Sequence, residues 1–120
     1  MAKIPLNKFR SRYINITTTE TPILSAPEER ASILVNCQVA NTTSSDITVN
    51  MSVSANGQRF PVVRNFAIPA NDARSLISGR LILQGVDGSS ITRPDVLLIQ
   101  ASSNNAGVLS LGILETVNRD

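Results

Sequence analysis

The sequence predicts an all-β fold, an antiparallel β-sandwich or jelly roll of about eight strands with an extended N-terminal arm. Two observations predict this fold. Apolar and polar residues alternate in several short segments, which is the period of a strand with one buried face. Turn-forming residues separate these segments, and no segment shows the apolar spacing of a convincing helix. With 120 residues, 42% hydrophobic and 3% aromatic, we expect one aliphatic core and a single domain over residues 13–120.

Four cations precede the first acidic residue of the chain: Lys3, Lys8, Arg10 and Arg12. We expect residues 1–12 to form a basic arm ahead of the domain. Its cations are candidate contacts to an acidic protein surface or a phosphate backbone, and a solvated terminus is the alternative. The net charge of the chain is only +2, which disfavours nucleic acid as the partner.

The first strand is predicted over residues 13–19, where aromatic and β-branched residues gather. Pro22 and Pro27 follow, and we expect a loop there because proline cannot donate a hydrogen bond to a neighbouring strand.

Two strands with clear alternation are predicted next. Residues 33–39 and 47–53 both place apolar side chains at odd-numbered positions. The even-numbered positions of the second strand are polar and uncharged, and they suit solvent or a broad interface: Thr48, Asn50, Ser52 and Ser54. Residues 41–46 are turn formers, so we expect the two strands to pair as a hairpin.

A tight turn is predicted at Asn56 and Gly57, a dipeptide that accepts the positive φ angles of a type I′ hairpin. The strand after it contains Pro61, which predicts an edge position or a bulge. Residues 69–72, Pro-Ala-Asn-Asp, predict the next turn.

The longest predicted loop covers residues 84–94. Short strands at 76–77 and 81–83, on either side of Gly79, precede it. Long loops in compact domains often make contacts, so Asp87 and Arg93 are further candidate contact residues.

The last part of the chain predicts two more strands. Residues 96–101 are almost entirely apolar, which predicts a central strand buried on both faces. Residues 108–117 alternate again and predict a closing strand.

Residue types that catalytic and metal sites usually need are absent or isolated. The chain has no histidine, the commonest general base and a frequent metal ligand. Cys37 is the only cysteine, and its place in a strand predicts a buried small side chain. Asp87 and Asp95 flank the long loop, where calcium binding is the alternative to a structural role in turns. We expect no enzyme activity, no cofactor, and neither catalytic nor metal residues.

Membrane and export signals are also missing. No apolar run approaches the ~20 residues of a membrane-spanning helix, and the N-terminus lacks the apolar core of a signal peptide. We therefore expect no membrane partner and synthesis in a cytoplasm.

Segments along nearly the whole chain resemble small β-sandwich virion structural proteins of tailed bacteriophages, particularly of contractile-tailed cyanophages. The matching segments are IPLNKFR (4–10), TTT (17–19), AP (26–27), ILVNCQVAN (33–41), FAIPANDA (66–73), GRLIL (79–83) and LSLGILE (109–115). The chain departs from this family between Leu83 and Val96, where the family more often has a short acidic turn followed at once by the next strand. Contacts made by the longer loop would be specific to this chain.

The resemblance implies a structural protein of the phage virion, in the first place a capsid decoration (cement) protein. A neck, tail, baseplate or fibre subunit is the alternative, as is a carbohydrate-binding module for host attachment. The implied partners are the major capsid protein or neck and tail subunits, in a homo-oligomer or symmetric array. The implied location is the virion, after synthesis in the bacterial host cytoplasm.

Overall fold

The computed structural model of the chain describes residues 7–28, 30–86 and 93–117. Nine strands and no helix lie in these ranges, so the described residues hold no helix that could cross a membrane. The strands are β1 (Asn7–Asn15), β2 (Thr21–Ser25), β3 (Arg30–Asn41), β4 (Ile47–Ala55), β5 (Gln58–Ile68), β6 (Ala73–Ser75), β7 (Leu81–Gln84), β8 (Val96–Ala101) and β9 (Gly107–Val117).

The strands form two antiparallel sheets. Sheet A has the order β1-β9-β3, and β6 and β7 both pair with β3 at its other side. Sheet B has the order β2-β8-β4-β5. The predicted antiparallel β-sandwich is therefore confirmed.

An aliphatic core fills the space between the sheets. In β4 the odd-numbered residues point inward, as predicted. In β3 the predicted parity holds for Cys37 and Val39 only, because the register shift after Leu34 places Leu34 in the core and leaves Ile33 and Val35 on the outer face. The largest fully buried side chains are Ile16, Leu34, Val39, Val49, Met51, Ile68, Leu83, Leu97, Ile99, Leu109, Leu111 and Ile113. No aromatic side chain is among the fully buried residues that the structure describes, so aliphatic packing carries the hydrophobic stabilisation.

The connection between β3 and β4 differs from its prediction. The two strands lie in different sheets, so the predicted hairpin over residues 41–46 is wrong. The side chain of Asn41 is buried here, and its Nδ2 donates to the carbonyls of Ser45, Ile68 and Pro69 at 2.7, 3.1 and 3.2 Å. Because a chain that changes sheets must satisfy buried carbonyls, the asparagine amide fixes this crossing.

The β4–β5 hairpin agrees with its prediction. Asn56 and Gly57 have φ angles of 53° and 80°, and Ala55 pairs with Gln58 across the turn. β5 is an edge strand with register shifts near Pro61, as expected for a strand that contains proline.

The beginning of the chain also needs correction. Residues 7–12, predicted as part of an arm, form the first part of β1 and pair with β9. The cations of this segment occupy alternate positions of the strand, whereas the sequence analysis predicted a charged arm ahead of the domain. Thr21–Ser25, predicted as a loop, is edge strand β2, with a register shift after Pro22. An edge strand tolerates proline there because one side needs no hydrogen bonds.

The short strands beside β3 are partly as predicted. β7 covers the predicted segment 81–83, and Gly79 before it has a φ of 94°. The other strand, β6, lies at Ala73–Ser75 and not at 76–77. Leu76 is instead a buried residue whose N–H donates to the Cys37 carbonyl at 2.8 Å. The central strand β8 and the closing strand β9 are confirmed.

Candidate interaction surface

A row of large apolar side chains crosses the outer face of sheet A. Phe9 of β1 pairs with Leu114 of β9, Leu114 with Ile33 of β3, and Ile33 with Ile82 of β7. Because residues directly opposite each other lie on the same face, these four side chains form one continuous line, here called the apolar row. Phe9 is 75% exposed and Ile82 57% exposed, while the two middle members are half-buried.

Two further apolar residues extend this surface. Tyr13 lies on the same face of β1 as Phe9 and is 73% exposed. Val35 reaches the face at a register shift of β3, where Gly112 leaves room for it: a Cβ on Gly112 would lie 3.4 Å from Val35 Cγ2. The shift thus brings a second apolar residue beside Ile33.

The outer face of sheet A carries no charge at the described positions of β1, β9 and β3 that share its parity. The polar members of the face are serine, asparagine, glutamine and threonine. An uncharged face with exposed aromatic and aliphatic groups has the composition of an interface centre, where charged residues are depleted.

The opposite side of β1 is cationic. Lys8, Arg10 and Arg12 alternate with the outward residues of the strand, and all three are exposed. We call these three residues the basic edge. Arg12 donates from Nη1 to the carbonyl of Ile23 in β2, and so joins the two sheets at this side.

A buried acid accompanies the basic edge. Glu115 is only 5% exposed, and its Oε1 lies 3.4 Å from Arg10 Nε. A depression of about 350 Å³ at this place is lined by Lys8, Arg10, Arg30, Glu115 and Pro27. Three cations and one carboxylate thus line the depression, and this excess of positive charge suits an acidic group.

The other predicted contact residues have different positions. Lys3 and Asp87 lie outside the described residues. Arg93 is exposed beside the β4–β5 turn, where a Cβ on Gly57 would lie 2.8 Å from Arg93 Nη1. The structure therefore brings together Lys8, Arg10 and Arg12 and places Arg93 beside another element.

The sequence prediction missed the members of the apolar row, and it missed Arg30 and Glu115 in the depression. One signal was present: Phe9 and Tyr13 share a parity opposite to that of the three cations. The row itself becomes visible only from the register of four strands that are distant in sequence.

The outer face of sheet B is polar, as predicted for the even-numbered residues of β4. A depression of about 280 Å³ on this face is lined by Glu20, Asn50, Ser52, Arg64, Asn65 and Gln100. The N–H of Asn65 donates to Asn50 Oδ1 at 2.8 Å, and Arg59 forms an ion pair with Glu20. The side chains of Asn50 and Glu20 on this face therefore already have partners within the chain.

Cys37 and Asp95, whose side chains could react or bind a metal, both make structural contacts instead. Cys37 is buried with its Sγ 3.7 Å from Met51 Sδ, as predicted, and burial raises the pKa of its thiol to about 12. Asp95 Oδ2 accepts the N–H of Gln84 at 2.9 Å. Within the described ranges, no three His, Cys, Asp or Glu side chains gather closely enough to hold a metal ion.

Comparison with known proteins gives a likeness of fold. No protein-family model matches the chain, and no curated protein matches it. Among solved structures, a chain from the crystal structure of the T13 IBDV viral particle matches with a TM-score of 0.51 and 12% identity. The match covers 95% of the present chain and 32% of that chain, so the present chain spans about a third of its length. At this identity the match shows a shared β fold.

Proposed function

We propose that this chain is a structural protein of a bacteriophage virion, and that it acts as a capsid decoration protein. The observation that carries the proposal is the outer face of sheet A, where an apolar row lies in an uncharged surface on a rigid sandwich. Such a surface gains free energy when another protein covers it. The resemblance to phage virion proteins and the viral-particle origin of the structural neighbour support the same role.

A capsid is a suitable site for a small domain of this kind. The chain offers one adhesive face, and a single contact of modest area would bind weakly. On a symmetric particle the same face is used by many copies, and oligomeric neighbours on the lattice add contacts at high effective concentration. A neck, tail or fibre subunit would use the same face with fewer copies.

The proposal is tested by locating the chain in a cryo-EM map of the particle of the phage whose genome encodes it. We expect density over the capsid lattice in hundreds of copies, with sheet A turned to the neighbouring subunits. About a dozen copies at one vertex would instead support the neck or tail alternative. Absence of the chain from purified particles would refute both.

A matched pair of variants tests whether the apolar row binds. The double variant Phe9→Ser/Ile82→Ser removes both exposed ends of the apolar row. Phe60→Ser removes an exposed aromatic residue that lies away from this row, opposite Val53 at the end of the β4–β5 hairpin. In co-sedimentation with particles lacking the chain, the double variant should lose at least about tenfold in affinity and Phe60→Ser less than about twofold. Equal losses for the two variants would contradict binding through sheet A.

A further inference from the structure

The edge strands of the two sheets differ in how well they are protected against pairing with another strand. β2 has only 5 residues and a register shift at Pro22. β5 contains Pro61 and two register shifts. The far side of sheet A is divided between β6 and β7, of 3 and 4 residues. Short length, proline and bulges are the usual ways in which natural sheets block their edges.

β1 has none of these interruptions. It runs for 9 residues, contains no proline, and pairs with β9 from Asn7↔Thr116 to Asn15↔Val108 without a register shift. On the side of β1 that faces away from β9, no strand of the described residues pairs with it. Alternate N–H and C=O groups on that side therefore form a regular template for one more strand.

Charge argues against a second copy of the chain as that strand. The antiparallel register that pairs all of β1 with itself places Arg10 opposite Arg12. A shift of two residues either way, which keeps both faces matched, places Arg10 opposite Arg10 or Arg12 opposite Arg12. Like charges directly opposite each other destabilise a strand pair, so the basic edge disfavours self-pairing.

The same charge favours an acidic partner. We propose that β1 is the acceptor edge for a strand of another polypeptide in which acidic residues alternate with apolar residues. Its acidic side chains would face Lys8, Arg10 and Arg12, and its apolar side chains would extend the outer face beside Phe9 and Tyr13. Backbone hydrogen bonds supply affinity in this mode of recognition, and the alternating side chains select the partner. The inference rests on the proposed function only for the origin of the strand, which would belong to another virion subunit.

A peptide experiment with the isolated full chain tests this mode directly. The probe is a nine-residue capped peptide of alternating glutamate and valine, and the control peptide has lysine in place of glutamate. Amide hydrogen exchange measured by NMR should slow at β1 with the first peptide. The control should bind at least about tenfold more weakly because three cations repel it. The expected affinity gap should shrink as salt is added.

Matched variants of the chain sharpen the result. Lys8→Gln removes one cation of the basic edge, and Arg80→Gln removes an exposed cation in the turn before β7. We expect Lys8→Gln to weaken binding of the glutamate peptide about threefold and Arg80→Gln to leave it unchanged. Arg10 is not used because its removal leaves buried Glu115 without this partner. Dispersed amide spectra show for each variant that the fold is intact.

Several outcomes would overturn the inference. They are the absence of protection at β1 up to about 1 mM peptide, equal binding of both peptides, and protection at β5 instead. Protection of β1 in the chain alone at raised concentration, with dimers in sedimentation, would show that a second copy is the partner. Because the assay contains no particle, its failure leaves the decoration role to be judged by cryo-EM. Failure of the decoration role would likewise leave the peptide result valid.

Discussion

The two outer faces of the sandwich have different compositions although both are built on alternating strands. The face of sheet A carries the apolar row, with Phe9 75% and Ile82 57% exposed. The face of sheet B carries hydroxyl, amide and charged groups, which bond to one another in the Asn50–Asn65 and Arg59–Glu20 pairs. Sheet B therefore exposes polar groups, some of them paired within the face, while sheet A exposes apolar surface to water.

This difference shows that the inward and the outward residues of the strands have separate roles. Folding requires that the inward parity of the strands be largely apolar, and both sheets meet that demand outside the basic edge of β1. The outward parity is available for solubility or for binding. Sheet B carries polar residues at this parity, whereas the apolar residues at the outward parity of sheet A are the basis of the proposed binding face.

The largest expected effect on stability comes from placing a charge on the inward side of sheet B. Val49→Asp would place a charge at a fully buried position, whereas Thr48→Asp would place it at the adjacent half-buried outward position. We expect a loss of at least about 4 kcal/mol in the free energy of unfolding for the first and less than about 1 kcal/mol for the second. Urea denaturation followed by circular dichroism measures both, and similar losses would show that the outer face is not solvated.

A smaller effect is expected at the basic edge of sheet A. Arg10→Ala would remove the cation 3.4 Å from buried Glu115, and an uncompensated buried carboxylate is unfavourable. Since Arg10 is itself about half exposed, we expect a loss of about 1–2 kcal/mol in the free energy of unfolding. The double variant Arg10→Ala/Glu115→Gln should recover part of it, because a neutral side chain needs no cation. A double variant as unstable as the sum of both single variants would disprove the coupling.

The sequence predicted the parts of this fold that depend on neighbours in the chain. The Asn56–Gly57 turn, the edge character of the strand with Pro61 and the buried parity of β4 follow from local chemistry. The pairing of β3 with β9 and the crossing at Asn41 do not, because alternation identifies the buried side of a strand without naming its sheet.

The candidate site was likewise predictable only where it depends on residues close in the sequence. Lys8, Arg10 and Arg12 were identified from their charge. Their segment was predicted to be an arm because the cations crowd the start of the chain ahead of the first acid, whereas the structure places them at the inward parity of β1. The apolar row joins residues 9, 33, 82 and 114, and only strand register brings these together. An outward apolar residue in one strand is common and carries little information. Four in a line across a sheet define a surface.

The smallest effect on stability is expected from the serine variants in the isolated chain. These variants test the adhesiveness of the apolar row directly. Phe9→Ser/Ile82→Ser should change the free energy of unfolding by less than about 1.5 kcal/mol, since both side chains are largely exposed. Retention on a hydrophobic-interaction column should nevertheless fall clearly below that of the unmodified chain. Phe60→Ser should alter retention less, because it removes a single exposed aromatic side chain that is not part of the apolar row. If Phe60→Ser lowers retention as much as the double variant does, the apolar row is no more adhesive than one exposed aromatic residue elsewhere, and the assignment of binding to sheet A fails.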